Sequence, residues 1–285
     1  MIELSELKTY CAPGAQVETF SISPNPGINL QVHRFSPPEP RPLTIFFIPG
    51  WISRMSGWKL VLREMTAIWP VIYLETREKN SAEAAPDASF GAQAIASDLR
   101  NVARELKLIP ENSVWFGSSL GATAIMEAMA ELEEQPLALA LIGPNAEFRI
   151  PLWGRALIAC FPPRLYFLMK PFVKWYLRTF RLDVANDRRQ YEKYCAALDD
   201  ADPVRLKRGA RELARYTVWH RLSEIECPVL VFGGSQDILH EPKNLQLMEK
   251  LLPDGQYIDM GTNSATHSAA MVQHLVEFLD RIRDT

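Results

Sequence analysis

The feature that most restricts the fold of this chain is a series of short runs that are apolar on consecutive positions. They are Leu43–Ile48, Val71–Leu74, Val114–Phe116, Leu137–Ile142, Val229–Phe232 and Tyr257–Met260. Such a run suits a strand buried on both faces, the condition of a parallel sheet covered by crossover helices. Helical patterns fall between most of them, at Trp58–Ile68, Phe90–Leu106, Ala122–Leu132, Lys243–Leu251 and His267–Ile282. In Phe90–Leu106, residues Ala94, Ile95, Leu99, Val102 and Leu106 recur near the helical period, so one face of that helix is expected to cover the sheet. Ahead of the series, Gln16–Ile22 and Asn29–Phe35 flank the turn-forming Ser23-Pro24-Asn25-Pro26-Gly27, which predicts an antiparallel hairpin. The expected class is α/β, a mostly parallel central sheet of about eight strands flanked by helices.

The rhythm breaks between residues 144 and 226, about 80 residues rich in aromatic and basic side chains with no clear buried strand. This stretch reads as a helical cap inserted into the sheet domain, with 1–143 forming the first part of the core and 227–285 the second. With 47% apolar and 23% charged residues the composition is that of an ordinary globular enzyme. The formal charge of −3 offers no attraction for nucleic acid. No apolar run approaches the roughly 20 residues of a membrane-spanning helix. Met1–Tyr10 carries Glu3, Glu6 and Lys8 where a signal peptide would be basic and then apolar, so a cytoplasmic protein is expected. Cys11, Cys160, Cys195 and Cys227 are widely separated, form no Cys-x-x-Cys pair and are expected to be buried thiols.

The strongest local signal is Gly117-Ser118-Ser119-Leu120-Gly121, directly after the run Val114–Phe116 and at the start of a predicted helix. A strand-to-helix turn this sharp projects its central serine at the sheet edge, and small neighbours prevent collision. The helix N-terminus also presents free N–H groups to developing negative charge, with the Leu120 N–H the first candidate oxyanion donor. Ser119 is thereby the candidate nucleophile, and Ser118 a bystander.

With this motif in place the chain resembles the α/β-hydrolases over nearly its whole length. The resemblance implies a triad in the order serine, acid, histidine. Asp237, in Gly233-Gly234-Ser235-Gln236-Asp237 after the run Val229–Phe232, matches the family's acid loop, and His267 stands where the family places its base. His267 would then take the Ser119 proton while Asp237 orients the imidazole. The second oxyanion donor is assigned by resemblance to the Trp51 N–H in Pro49-Gly50-Trp51, where Pro49 departs from the family's common His-Gly. Arg77 is expected in a structural ion pair. His33, His220 and His274 read as structural, and His240, close to Asp237, as a loop or helix-start residue. No histidine has metal-ligand spacing, and neither a metal nor an organic cofactor is implied.

The activity this implies is hydrolysis of a carboxylic ester through an acyl-enzyme, with a small lipophilic acyl or aryl ester as substrate. Two alternatives stay open: a thioesterase or C–C bond hydrolase using the same triad, and a ligand-binding protein that keeps the scaffold without catalysis. Elbow serine argues against dehalogenase or epoxide hydrolase chemistry, since those relatives carry aspartate there. Within Phe148–Leu182 there are seven basic residues, Arg149, Arg155, Arg164, Lys170, Lys174, Arg178 and Arg181, and no acidic one. Lys170, Lys174 and Arg178 would form a polar stripe on a helix otherwise apolar, most of which should be covered, and Pro171 should bend or start that helix. The stretch suits either a cap helix with its basic edge in water, or a lipophilic channel in transient contact with an anionic membrane surface.

Overall fold

The computed structural model describes residues 3–148, 150–182, 184–185, 187–237 and 239–284; Met1 and Arg149 of the readings above lie outside them. A short helix α1 (Leu4–Leu7) precedes the antiparallel hairpin β1 (Gln16–Asn25) and β2 (Ile28–Ser36). There follow β3 (Thr44–Ile48), α2 (Lys59–Met65), β4 (Val71–Leu74), β5 (Glu83–Ala84), α3 (Ala92–Glu105), β6 (Ser113–Ser118), α4 (Leu120–Met129) and β7 (Ala138–Ile142). Helices α5 (Leu152–Cys160), α6 (Tyr166–Tyr176), α7 (Arg188–Asp200) and α8 (Pro203–Leu213) come next. The chain closes with β8 (Val229–Gly233), α9 (Pro242–Leu251), β9 (Gly255–Asp259) and α10 (Ala269–Arg283).

All of these strands join one sheet in the order β1-β2-β4-β3-β6-β7-β8-β9, with β5 pairing only β2. From β4 to β9 along this path every pairing is parallel. The two-residue β5, too short to carry a pattern, is the strand that the sequence does not announce. Alternate side chains serve two cores. Phe46, Ile48, Trp115, Leu139 and Val231 pack on the side that includes residues of α3, α4 and α9. Ile45, Phe47, Phe116, Ala140 and Phe232 pack on the side of α2 and α10. The period of two is the pleat itself, and consecutive apolar residues are needed because both sides are dry.

The chain runs from β3 outward to β4 and then returns to place β6 on the other side of β3. That reversal leaves a crevice between the carboxyl ends of β3 and β6, the position at which open parallel sheets hold ligands. Nearby, the Arg77 guanidinium donates to both carboxylate oxygens of Asp98 at 2.6 Å, with side chains 6% and 1% exposed. The structural ion pair expected of Arg77 is present, and it ties the loop after β4 to α3.

Helices α5 to α8 span the gap between β7 and β8, and its two ends are pinned by a bridge between Glu147 and Thr217 and by the Val218 N–H donating to the Ala146 carbonyl at 2.8 Å. Helices α7 and α8 bury Ala197, Leu198, Ala210 and Leu213. Helix α6 buries none of its residues, so the expectation that most of it is covered does not hold. Pro171 lies inside α6, and the sharper change comes before it, where α5 and the α6 segment meet at 105°. Cys11 and Cys227 are buried as expected, whereas Cys195 is half-buried and Cys160 at the end of α5 is exposed.

Candidate active site

Ser119 sits between β6 and α4 with φ 50° and ψ −117°, a backbone conformation that a non-glycine residue holds only where its surroundings impose it. Here the Ser119 N–H donates to the Ile142 carbonyl at 2.9 Å and its own carbonyl accepts from the Thr123 N–H at 3.0 Å, fixing the turn on both sides. The glycines make the turn possible. A Cβ on Gly117 would lie 2.8 Å from the Ala122 backbone, and one on Gly121 would meet the Pro49 carbonyl oxygen at 2.5 Å. Neither neighbour is a flexible side-chain end. Gly121→Ala is accordingly expected to cost at least about 3 kcal/mol, at the upper end for overpacking a filled site, and a thermal unfolding midpoint within experimental error of wild type would contradict it.

The loop after β3 comes up against this turn, and a Cβ on Gly50 would stand 3.2 Å from that of Ser119. Among the described residues, neither the Trp51 nor the Leu120 N–H donates to another protein group. Both remain available beside the serine. The loop is held by Glu78, whose carboxylate accepts from the Ile52 N–H at 3.3 Å and from the Thr76 hydroxyl at 2.8 Å. Burial pushes the Glu78 carboxyl up, against the lowering by Lys79 and these hydrogen bonds.

Asp237 and His267 both reach this end of the sheet, but not as the expected pair. One Asp237 oxygen, Oδ2, is shared between His240 Nδ1 at 2.9 Å and the Asn263 side-chain amide at 2.7 Å, while Oδ1 accepts from the Leu239 N–H at 2.9 Å. Burial opposes ionisation of Asp237, yet the His240 charge and these hydrogen bonds outweigh it and hold the carboxyl well below its usual range. Asp237 and His240 are each 6% exposed. The His240 ring packs against Gly143, where a Cβ would lie 3.0 Å from it and φ is +49°, so glycine is required there on two counts.

His267 follows a different path because it lies in a short 3-10 turn (Ala265–His267), ahead of α10 instead of inside it. Its Nδ1 lies 3.0 Å from the Asn263 carbonyl and its Nε2 2.6 Å from Lys193 Nζ. The ring stacks near Trp58 at a centroid distance of 4.1 Å. With Nδ1–H donating to the carbonyl, Nε2 is left as the acceptor, and the lysine occupies it. Burial, then the Lys193 charge, press the His267 imidazole well below its usual titration range. Burial likewise lowers Lys193 to about 8. The hydrogen bond expected between Asp237 and His267 is not formed, since His240 and Asn263 fill the carboxylate positions that would accept it.

Ser119, His240, His267, Lys193 and Asn263 nevertheless line one small cavity of about 50 Å³. A larger space of about 300 Å³ also includes Trp51, Ser119, Tyr194 and His240, and its walls carry Val173, Leu177, Leu198, Leu206 and Leu213 from the helices between β7 and β8. Asn145 donates through its side-chain amide to Ser119 Oγ at 2.9 Å, while its carbonyl accepts from the Thr123 hydroxyl at 2.8 Å. The serine oxygen is thus held as an acceptor, leaving its own proton to be given elsewhere.

No family model matches the sequence, and no curated protein matches it. Solved structures do. A thermophilic esterase from Thermogutta terrifontis superposes with a TM-score of 0.75 at 19% identity, covering 94% of this chain and 99% of the other. The enol-lactonase from Burkholderia xenovorans LB400 gives a TM-score of 0.74 at 15% identity, with 90% and 99% covered. MenH from S. aureus gives 0.70 at 15%, with 88% and 98% covered. These proteins share one architecture.

The chain has the α/β-hydrolase fold.

Within this α/β-hydrolase fold, Ser119, Trp51 and His267 line the small cavity, Leu120 follows the serine at the start of α4, and Asp237 reaches the cavity only through its contacts with His240 and Asn263. The structure adds four residues that the sequence reading passed over or left as structural: His240, Asn263, Asn145 and Lys193. His240 had a visible signal, a histidine three positions after the candidate acid. Asn145 and Lys193 had none, because Asn145 is brought to the serine by the end of β7 and the Thr123 hydroxyl, and Lys193 by the packing of α7, all distant in the chain from Ser119's motif or unmarked by pattern.

Proposed function

We propose that the protein is a serine hydrolase that cleaves a carboxylic ester through an acyl-enzyme on Ser119. The observation that carries this reading is the Ser119 turn, with φ 50°, beside two backbone N–H groups that donate to no protein group among the described residues. Strain of this kind costs roughly 1 to 3 kcal/mol and is kept where it serves a site. In the reaction, Ser119 Oγ attacks the ester carbonyl and the resulting oxyanion is bound by the Trp51 and Leu120 N–H groups. The serine proton passes to an imidazole and then to the departing alcohol, after which water repeats the sequence on the acyl-enzyme.

Two histidines could receive the proton. His240 is the better placed chemically, because its Nδ1–H···Asp237 bond stabilises an imidazolium and leaves Nε2 as the acceptor. His267, assigned this role on sequence grounds, would first have to lose the Lys193 contact at Nε2 and would carry positive charge beside an ammonium. Apolar side chains in the larger cavity support a lipophilic substrate. The names of the Thermogutta esterase and the Burkholderia enol-lactonase describe ester chemistry on the same fold, which is consistent with this choice.

Labelling with a fluorophosphonate followed by peptide mapping tests the nucleophile. Modification is expected on the peptide bearing Ser119, and a folded protein that resists the reagent would overturn the reading. A panel of aryl esters, acyl thioesters and vinylogous diketones then separates ester hydrolysis from thioester and C–C bond cleavage, with the largest kcat/KM expected for an ester.

A further inference from the structure

We propose that the outward face of α5 and α6 is a docking surface for an anionic lipid bilayer. Helix α6 buries no residue, and Phe167, Leu168 and Trp175 are 63%, 58% and 50% exposed. Trp153 on α5 and Phe180 beyond α6 extend the same apolar display at 52% and 57%. Scattered exposed apolar residues are ordinary on a protein surface, but a cluster of large aromatics on adjoining helices is a binding surface.

The charge around this cluster selects the occupant. Residues 148–182 hold seven basic and no acidic side chains, in a chain whose net charge is −3. Lys170 and Lys174 are engaged by Asp199, at 3.2 and 2.8 Å, whereas Arg164 and Arg178 are exposed and form no ion pair among the described residues. A negative protein with a basic, aromatic face is attracted to an anionic surface through that face. A second copy of the chain suits this face poorly, because a two-fold contact would set the basic patch against itself. Among the described residues no single helix is long and apolar enough to cross a bilayer, and the pair that reaches the length and composition of a span together, α5 with the α6 segment, is bent by 105°. A bent pair with aromatic and basic residues lies in the interface plane, with rings at the acyl boundary and guanidinium groups among the headgroups.

The inner side of the same stretch faces the candidate active site, since Val173, Leu177 and Arg181 line the cavity that contains Ser119. On the reading of the protein as an ester hydrolase, docking through α6 would bring that cavity next to the lipid phase and favour esters dissolved in it. The docking itself needs no catalysis.

The test is co-sedimentation of the full chain with phosphatidylcholine vesicles prepared with and without phosphatidylserine, at low and high salt. Pelleting with the anionic vesicles alone, weakened by salt, is expected. A double variant Arg164→Glu, Arg178→Glu should lower the partition coefficient at least twentyfold, at roughly fivefold or more for each charge removed near the surface. A second variant, Phe167→Ser with Trp175→Ser, should lower it by a similar or larger factor. None of these four residues lines the cavity, so unfolding midpoints and turnover of a short soluble aryl ester should stay at wild-type values. Ser119→Ala should bind vesicles as wild type does, which separates docking from the catalytic reading. Equal recovery with neutral and anionic vesicles, or full binding by both double variants, would overturn the proposal. So would a concentration-dependent dimer that the Phe167 and Trp175 substitutions abolish, because the face would then belong to a second copy.

Discussion

Replacing Ser119 with alanine is expected to lower kcat for an aryl ester by ~100,000-fold or more and to abolish fluorophosphonate labelling, while KM changes little. The effect is large because no neighbouring group can take over. Ser118, the adjacent hydroxyl, belongs to β6 and is buried, on the strand side of the turn. Stability should be nearly unchanged, since the hydrogen bonds that hold residue 119 at φ 50° are made by its backbone and survive in alanine. Oxyanion donors and substrate binding also remain, which accounts for the small residual rate above water that such variants keep. The measurement is steady-state hydrolysis of a p-nitrophenyl ester alongside thermal unfolding. Turnover within tenfold of wild type at unchanged stability would remove Ser119 from the mechanism.

The second large effect separates the two histidines. His240→Ala is expected to reduce kcat/KM by roughly 1,000- to 10,000-fold, the magnitude of losing a triad base. His267→Ala should cost less than about tenfold, since with its Nε2 on Lys193 it takes no proton in the proposed mechanism. A larger loss from His267→Ala than from His240→Ala would return the base to His267 and require Lys193 to release it. The pH dependence provides an independent check. Lys193 titrates at its ordinary 10.5 in the unfolded chain but at about 8 when folded, chiefly through burial. Between those values unfolding takes up a proton, so stability should rise as pH increases from about 8 toward 10.5 and be lowest below that window. Lys193→Met should abolish this slope and raise the unfolding midpoint at neutral pH. If His267 were the base, activity would also climb through pH 8 as the ammonium is lost, and the same substitution would erase the climb. With His240 as base no such climb is expected.

The sheet was legible because burial on both faces leaves an unmistakable trace in Thr44–Ile48, Val71–Leu74 and Val229–Gly233, each fully or almost fully buried. The elbow was legible for a related reason: Gly117 and Gly121 are required by contacts within the turn and with the adjacent strand end, so spacing alone betrays them. The covering of α6 was misjudged, since an apolar helix in sequence looks the same whether its partner is the protein or something outside it. The choice between His240 and His267 was also beyond sequence pattern. It depends on how a 3-10 turn aims one imidazole toward Lys193 and on which side chains crowd a single carboxylate.

By itself, then, the order of residues determined the α/β architecture and the chemical types brought to the sheet's carboxyl edge, since both follow from local periodicity and short-range steric demands. Tertiary structure alone decided which histidine Asp237 holds, how Asn145 and Lys193 enter the site, and that the α6 face is left uncovered. Those outcomes are set by hydrogen bonds and packing between segments distant in the chain, where a shift of an ångström or two exchanges one partner for another.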